Sequence, residues 1–166
     1  MRAIFFFSVL SFVFISCRSD DADLQKIDQI TNIYIKDSAG KDLLNSKLTG
    51  SYTSVALKDL NGTYDLVPIT TFSQKKDSDT INYIEYIAGA KRILKDSISV
   101  SQKSYQSDFV IQLSKTVNDT TITDMDTIRL EYSWTPALFQ ISKAYYNKNL
   151  VFSKVEGQAN VIKVVK

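Results

Sequence analysis

Along Thr127 to Trp134 (TIRLEYSW) apolar and polar side chains alternate without a break. Ile128, Leu130, Tyr132 and Trp134 fall on one face, and Thr127, Arg129, Glu131 and Ser133 on the other. That two-residue period predicts a half-buried strand. The stretch FVIQL (109–113) repeats it with Phe109, Ile111 and Leu113 inward. Further short runs of the same kind are NIYIK (32–36), SVALK (54–58), TYDLVPI (63–69), INYIEYIA (81–88), SISVS (97–101), SKAYYN (142–147), LVFSK (150–154) and NVIKVV (160–165). Asn61-Gly62, between two of these runs, predicts a type I′ hairpin turn because both residues tolerate positive φ. Only AKRILKD (90–96) and PALFQIS (136–142) have spacing suited to short helices. About ten short strands with tight turns predict one all-β domain over residues 30–166. The expected form is a single antiparallel β-sandwich, immunoglobulin- or transthyretin-like, with a closed β-barrel as the alternative. NVIKVV is apolar enough for a central strand.

The amino terminus follows another rule. Arg2 precedes an apolar run from Ala3 to Ile15. Thirteen residues at helical rise reach about 20 Å, short of the roughly 30 Å hydrocarbon core of a bilayer. Residues 1–16 therefore read as a secretion signal. The following Cys17 is the only cysteine of the chain. The segment Phe14-Ile15-Ser16-Cys17 resembles the bacterial lipobox, with Phe14 where an aliphatic residue is usual. The resemblance implies cleavage before Cys17, acylation of its thiol, and a protein fastened to a membrane without crossing it. The next stretch, RSDDADLQKIDQ, has little to bury and predicts a flexible tether over 17–29 with a reach of roughly 20 Å. Within it, Ser19-Asp20-Asp21 resembles the acidic signal that exports lipoproteins of Bacteroidota to the outer face of the outer membrane.

Ile33 to Tyr52 (IYIKDSAGKDLLNSKLTGSY) resembles the opening strand and loop of small uncharacterised surface lipoproteins of Bacteroidota. Asp37, Gly40, Asp42, Leu43, Leu44 and Asn45 match their Asp-x-x-Gly-x-Asp-Leu-Leu-Asn-Pro segment, and Ser46 stands where the proline would be. The resemblance implies a β-rich secreted body and no particular activity. Leu43 and Leu44 read as core plugs beneath the first turn.

Charge and composition narrow the chemistry. The net charge is +2 with no basic stripe, so nucleic-acid binding has no electrostatic basis. Fifteen Asp against three Glu favours turns over helices. With no histidine and one cysteine assigned to lipid, Ser-His-Asp and Cys-His catalysis, histidine metal centres, disulfides and thiolate sites drop out. No Gly-rich phosphate loop or dinucleotide fingerprint occurs. No cofactor and no metal are implied.

Carboxylate chemistry remains. Glu85 and Glu131 fall within expected strands, and a glycoside hydrolase would need two such acids facing each other across a cleft. For calcium, Asp119, Asp124 and Asp126, or Asp59, Asn61 and Asp65, supply oxygen ligands without EF-hand spacing; Asp capping its own turn explains both groups equally well. Five triplets, beginning at Asp37, Asp79, Asp96, Asp119 and Asp126, resemble the Asp-(Ser/Thr)-aliphatic-or-Thr acceptor of Bacteroidota O-glycosylation. They nominate Ser38, Thr80, Ser97, Thr120 and Thr127 as glycan carriers, if exposed.

Tyr83, Tyr86, Tyr105, Tyr132, Trp134, Tyr145 and Tyr146 offer aromatic platforms, most of them better suited to the core. A strand through Tyr145-Tyr146 must turn one ring outward, so these two are the candidates for ligand stacking. The favoured reading is a surface-anchored lipoprotein of the outer membrane, acting as a non-enzymatic binding or structural module. Its expected partners are the membrane, through Cys17, and an envelope protein or glycan. The alternative is a carboxylate-dependent glycoside hydrolase or a carbohydrate-binding accessory protein. A third class, an accessory that lends an edge strand to a partner, would show a long uncovered edge.

Overall fold

A computed structural model describes residues 24–166. The expected signal peptide (1–16), lipidation at Cys17 and sorting signal at Ser19, Asp20 and Asp21 lie outside the described residues.

Among the described residues twelve strands run in chain order: β1 Lys26–Asp28, β2 Thr31–Lys36, β3 Ser54–Asp59, β4 Val67–Ile69, β5 Phe72–Lys76, β6 Asn82–Tyr86, β7 Ile93–Ser99, β8 Gln102–Val117, β9 Thr120–Trp134, β10 Leu138–Tyr146, β11 Asn149–Ser153 and β12 Asn160–Val165. They form two sheets. The larger has the order β1-β10-β9-β8-β3-β4, with β7 alongside β8 and β11 alongside β10; the smaller has the order β12-β2-β6-β5. The fold is all-β and sandwich-like. Antiparallel ladders dominate, but β1 runs parallel to β10 and β12 parallel to β2, so both sheets are mixed.

The alternation read from the sequence explains the packing. Ile128, Leu130 and Tyr132 of β9, and Phe109, Ile111 and Leu113 of β8, are buried against Ile33, Ile35, Ile84, Tyr86, Ile162 and Val164 of the smaller sheet. The rings of Tyr86 and Phe109 stack between the sheets with centroids 4.7 Å apart. Each large side chain buried in this way contributes about 1.5–3 kcal/mol relative to exposure. Leu43 and Leu44 are buried under the first loop, as expected of plugs.

Five expectations change, the first being that NVIKVV, expected as a central strand, forms β12 at the edge of the smaller sheet. Neither short helix forms: the AKRILKD stretch feeds β7, and PALFQIS feeds β10. Seven residues rarely nucleate a helix unaided, and here β8 and β9 supply complete ladders instead. Asn61-Gly62 does not form a two-residue turn, since it lies in a loop running from Asp59 to Val67 and Gly62 does not adopt positive φ. Gly62 is needed for room, because an added Cβ would sit 2.9 Å from Val67 Cβ. The type I′ turns are at Asn118-Asp119 (φ 49° and 60°) and Asn147-Lys148 (φ 46° and 72°), which close the β8–β9 and β10–β11 hairpins. Finally, Lys26–Asp28, expected within the tether, is a strand, so the leash ends by Gln25.

The larger sheet curls without closing. Strands β1 and β7 lie at opposite edges of one end of it, yet the Arg92 guanidinium reaches across to donate to Gln29 Oε1. On the way it passes 4.6 Å from the Phe139 ring centroid and 5.5 Å from that of Tyr132. The result is an open half-barrel strapped by one side chain.

Candidate functional site

The outer face of the larger sheet carries a groove of about 630 Å³, within the usual size range for small-ligand sites. Its floor is built by β8 and β9, where Asp108 lies opposite Arg129 in the ladder. Because Ile128 and Leu130 face the core, Thr127, Arg129 and Glu131 must face outward into the groove. One wall is the loop after β3, carrying Leu60 and Asn61. Asp59, buried at the end of β3, fixes that loop through two backbone hydrogen bonds: its Oδ1 accepts from Asn61 N at 2.9 Å, and its Oδ2 from Lys91 N at 2.9 Å.

The opposite wall is the β10–β11 hairpin with Tyr145 and Lys148. A bulge decides which tyrosine reaches the groove. Strand β10 slips one residue against β9 between Ile141 and Lys143, so Phe139, Ile141, Ala144 and then Tyr146 share the inner face. The Ser142 hydroxyl fills the bulge by donating to Glu131 O at 3.1 Å. Tyr145 is thereby turned outward. Tyr146 is turned inward, where it packs partly buried against the core. Of the two proposed stacking residues, only Tyr145 lines the groove.

Three of the four charged groups of the groove, Asp108, Arg129 and Glu131, are already paired. Arg129 Nε donates to Asp108 Oδ1 at 2.6 Å, and the second Asp108 oxygen accepts from Asn61 Nδ2 and Gln106 Nε2, each at 3.3 Å. The hydrogen bond to Asp108 holds Arg129 above its ordinary pKa. Lys95 pairs with Glu131. A ligand therefore meets a fixed lattice of donors and acceptors beside an aromatic ring.

The two glutamates considered for glycoside hydrolysis are not brought together. Glu131 faces out from the larger sheet and pairs with Lys95, whereas Glu85 lies between the core residues Ile84 and Tyr86, faces out from the smaller sheet, and pairs with Lys75 at 2.6 Å. Two acids on opposite outer surfaces cannot flank one bond.

The acidic segments have other partners too. Asp124 and Asp126 hold the ammonium of Lys166 at 3.0 and 2.6 Å, while Asp119 sits in the distant hairpin turn. Burial alone would raise the Asp126 carboxyl, but Lys166, Asn147 and Tyr146 outweigh it and hold it below the ordinary value. Asp124 is lowered by hydrogen bonds from Tyr52 and then Lys166. In the other segment, Asp59 caps two backbone amides. Among the described residues no group of three or more Asp, Glu, His or Cys side chains converges. Every deeply buried side-chain nitrogen or oxygen among them has a hydrogen-bond partner.

The five hydroxyls nominated for glycan, Ser38, Thr80, Ser97, Thr120 and Thr127, are all exposed. Two of them donate their hydroxyls within the domain: Thr127 to Asn147 Oδ1 at 3.2 Å and Thr120 to Asn118 O at 3.5 Å. Of the remaining platform candidates, Tyr86 and Tyr132 are buried in the core and Tyr105 and Trp134 pack partly buried against it, whereas Tyr83 stacks on Tyr34 on the outer face of the smaller sheet. Sequence reasoning singled out Tyr145 but not Asn61 as a groove wall, Asp108 or Arg129, and no local signal joins them. No protein-family model, curated protein or solved structure matches the chain.

Proposed function

We propose that the chain is a lipid-anchored protein of the bacterial outer membrane, fastened through Cys17 and facing outward. Its β-sandwich is a non-enzymatic binding module that engages a glycan of the envelope or of an envelope protein through the groove beside Tyr145. The observation that carries this reading is the combination in that groove. A tyrosine ring offers an apolar face for stacking, and Asn61, Asp108 and Arg129 hold planar polar groups beside it. Sugars present that same mixture of apolar C–H faces and hydroxyl edges. Preset hydrogen-bonding groups also lower the ordering cost of binding.

Binding is favoured over hydrolysis because both acids of the groove are neutralised by a cation, Asp108 by Arg129 and Glu131 by Lys95. A hydrolase needs two acids with separated proton affinities across one bond. The exposed hydroxyls of Ser38, Thr80, Ser97, Thr120 and Thr127 are consistent with O-glycosylation, which an intact mass above that of the acylated polypeptide would reveal.

The test is a glycan array probed with the chain and with Tyr145→Ala. Binding that falls at least tenfold in the variant is expected. Undiminished binding by Tyr145→Ala, or no retained glycan, would refute the groove assignment. The anchor is tested separately: labelled fatty acid should enter the wild-type chain and not Cys17→Ser.

A further inference from the structure

The chain enters the domain at one particular end of the larger sheet. Gln25 Nε2 donates to Thr135 O at 2.6 Å and Lys26 N to Ala137 O at 2.9 Å, so the first described residues lie beside the β9–β10 turn. The β7–β8 turn is at this same end, because Ser99 pairs with Gln102 and Lys103 with Trp134. Its residue Val100 is 93% exposed, Ile98 beside it 62%, and Leu24 at the chain's point of arrival 86%. Basic groups stand around them. Lys26 is exposed, and Lys103 Nζ lies 5.1 Å above the Trp134 ring.

We propose that this end docks on the lipid surface that holds Cys17, with Val100 and Ile98 entering the acyl boundary and Lys26 and Lys103 meeting phosphate headgroups. The inference rests on the lipid-anchor reading above. The length of chain outside the structure supports it: six residues lie between Cys17 and Leu24, and the connection spans at most about 25 Å fully extended. An end held so close to the bilayer meets it at high effective concentration, so even weak insertion suffices. Exposed aliphatics also occur near the far tip of the β8–β9 hairpin, at Val117 and Ile122. That tip lies about 45 Å further along the strands, beyond the tether's reach. Docking at the near end leaves the Tyr145 groove, roughly 20 Å higher on β9 and β10, open to its ligand.

Trp134, the only tryptophan of the chain, is the reporter. The full lipidated protein is reconstituted into phosphatidylethanolamine–phosphatidylglycerol vesicles, with and without bromine on the acyl chains. Side chains at such an interface sit about 5–10 Å into the headgroup boundary, so a roughly twofold loss of Trp134 emission is expected with brominated lipid. The double variant Ile98→Asp, Val100→Asp should still float with the vesicles but lose the quenching. Unquenched emission from floated wild-type protein overturns docking while leaving the anchor intact, and so does quenching that the double variant retains. Failure of the wild-type protein to float overturns the anchor itself, and docking with it.

Discussion

The ammonium of Lys166 lies 2.6 Å from Asp126 Oδ2, and this contact ties the end of the smaller sheet to the middle of β9 in the larger one. Asp124 at 3.0 Å and the Tyr52 ring at 5.2 Å complete the enclosure. Burial alone would lower the Lys166 pKa, but hydrogen bonds to Asp126, Asp124 and Tyr52 outweigh it and hold the group above its ordinary value.

Replacing Lys166 with Met leaves Asp126, itself buried, without its counter-charge. A loss of about 2–3 kcal/mol is expected, toward the low end for breaking a buried pair because Asp124 is partly solvated. The two acids have lowered folded pKa values, so their share of stability is present above about pH 4 and fades as acid protonates them. Lys166 has a raised folded pKa, so its share is full below about pH 10.5 and fades above that. Thermal melts of wild type and Lys166→Met across pH should therefore diverge between those limits and converge outside them. A constant gap at all pH values would contradict the latch.

A second prediction comes from two loops built alike. Asp37 Oδ1 accepts from Ala39 N and Lys41 N, and Asp77 Oδ1 from Asp79 N and Ile81 N. The fourth residue of each is left-handed: Gly40 at φ 84° in the first, Thr80 at φ 64° in the second. A β-branched residue is strained there, by roughly 1–2 kcal/mol. Thr80→Gly relieves that strain at some entropic cost, and a net gain of about 0.5–1 kcal/mol is expected. Gly40→Thr should lose about 1–2 kcal/mol. Urea midpoints with unchanged m-values would report both.

The same comparison shows what the sequence could and could not convey. Strands β8 and β9 were legible because one face is buried and the other solvated, which imprints a two-residue period. Strand β10 was legible only in its second half, SKAYYN, because the bulge at Ser142 breaks its period midway and leaves Phe139 and Ile141 out of phase with Ala144 and Tyr146. The I′ turns at Asn118-Asp119 and Asn147-Lys148 lack the glycine that draws attention to Asn61-Gly62, where the glycine answers to Val67 instead. The groove was the least legible feature. Its residues come from four separate segments, and only the ladder register sets Asp108 against Arg129.

A third prediction concerns Tyr86, whose hydroxyl accepts from Ala90 N at 3.0 Å while its ring stacks on Phe109. Tyr86→Phe keeps the stack and leaves a buried amide unpaired, which costs about 1–3 kcal/mol. Tyr86→Ala also empties ring volume and should cost about 3–5 kcal/mol. The partition is measurable by chemical denaturation. Equal losses in the two variants would mean that the ring contributes nothing beyond its hydroxyl.

The last prediction places the boundary between leash and body. Lys154, whose side chain is only 8% exposed, donates to Asp28 Oδ2 at 2.7 Å, to Gln158 O at 2.7 Å and to Asn160 Oδ1 at 2.9 Å. Asn160 Nδ2 in turn donates to Asp28 Oδ1 at 2.8 Å and Ile30 O at 3.0 Å. Burial alone would raise the Asp28 carboxyl, but Lys154 and Asn160 hold it below its ordinary value. Asp28 thus binds the arriving chain to the segment leading into β12, and β1 is part of the folded body. A chain shortened to begin at Ile30 removes that carboxylate and strands a nearly buried ammonium, so a loss of about 3 kcal/mol is expected. A chain begun at Asp23 keeps the cluster and should match the longer protein. Asp28→Asn in the full chain separates charge from backbone pairing: if the cluster matters more than the short parallel ladder, this substitution alone reproduces most of the loss in a denaturant titration. Indistinguishable midpoints for all these chains would return residues 26–29 to the leash.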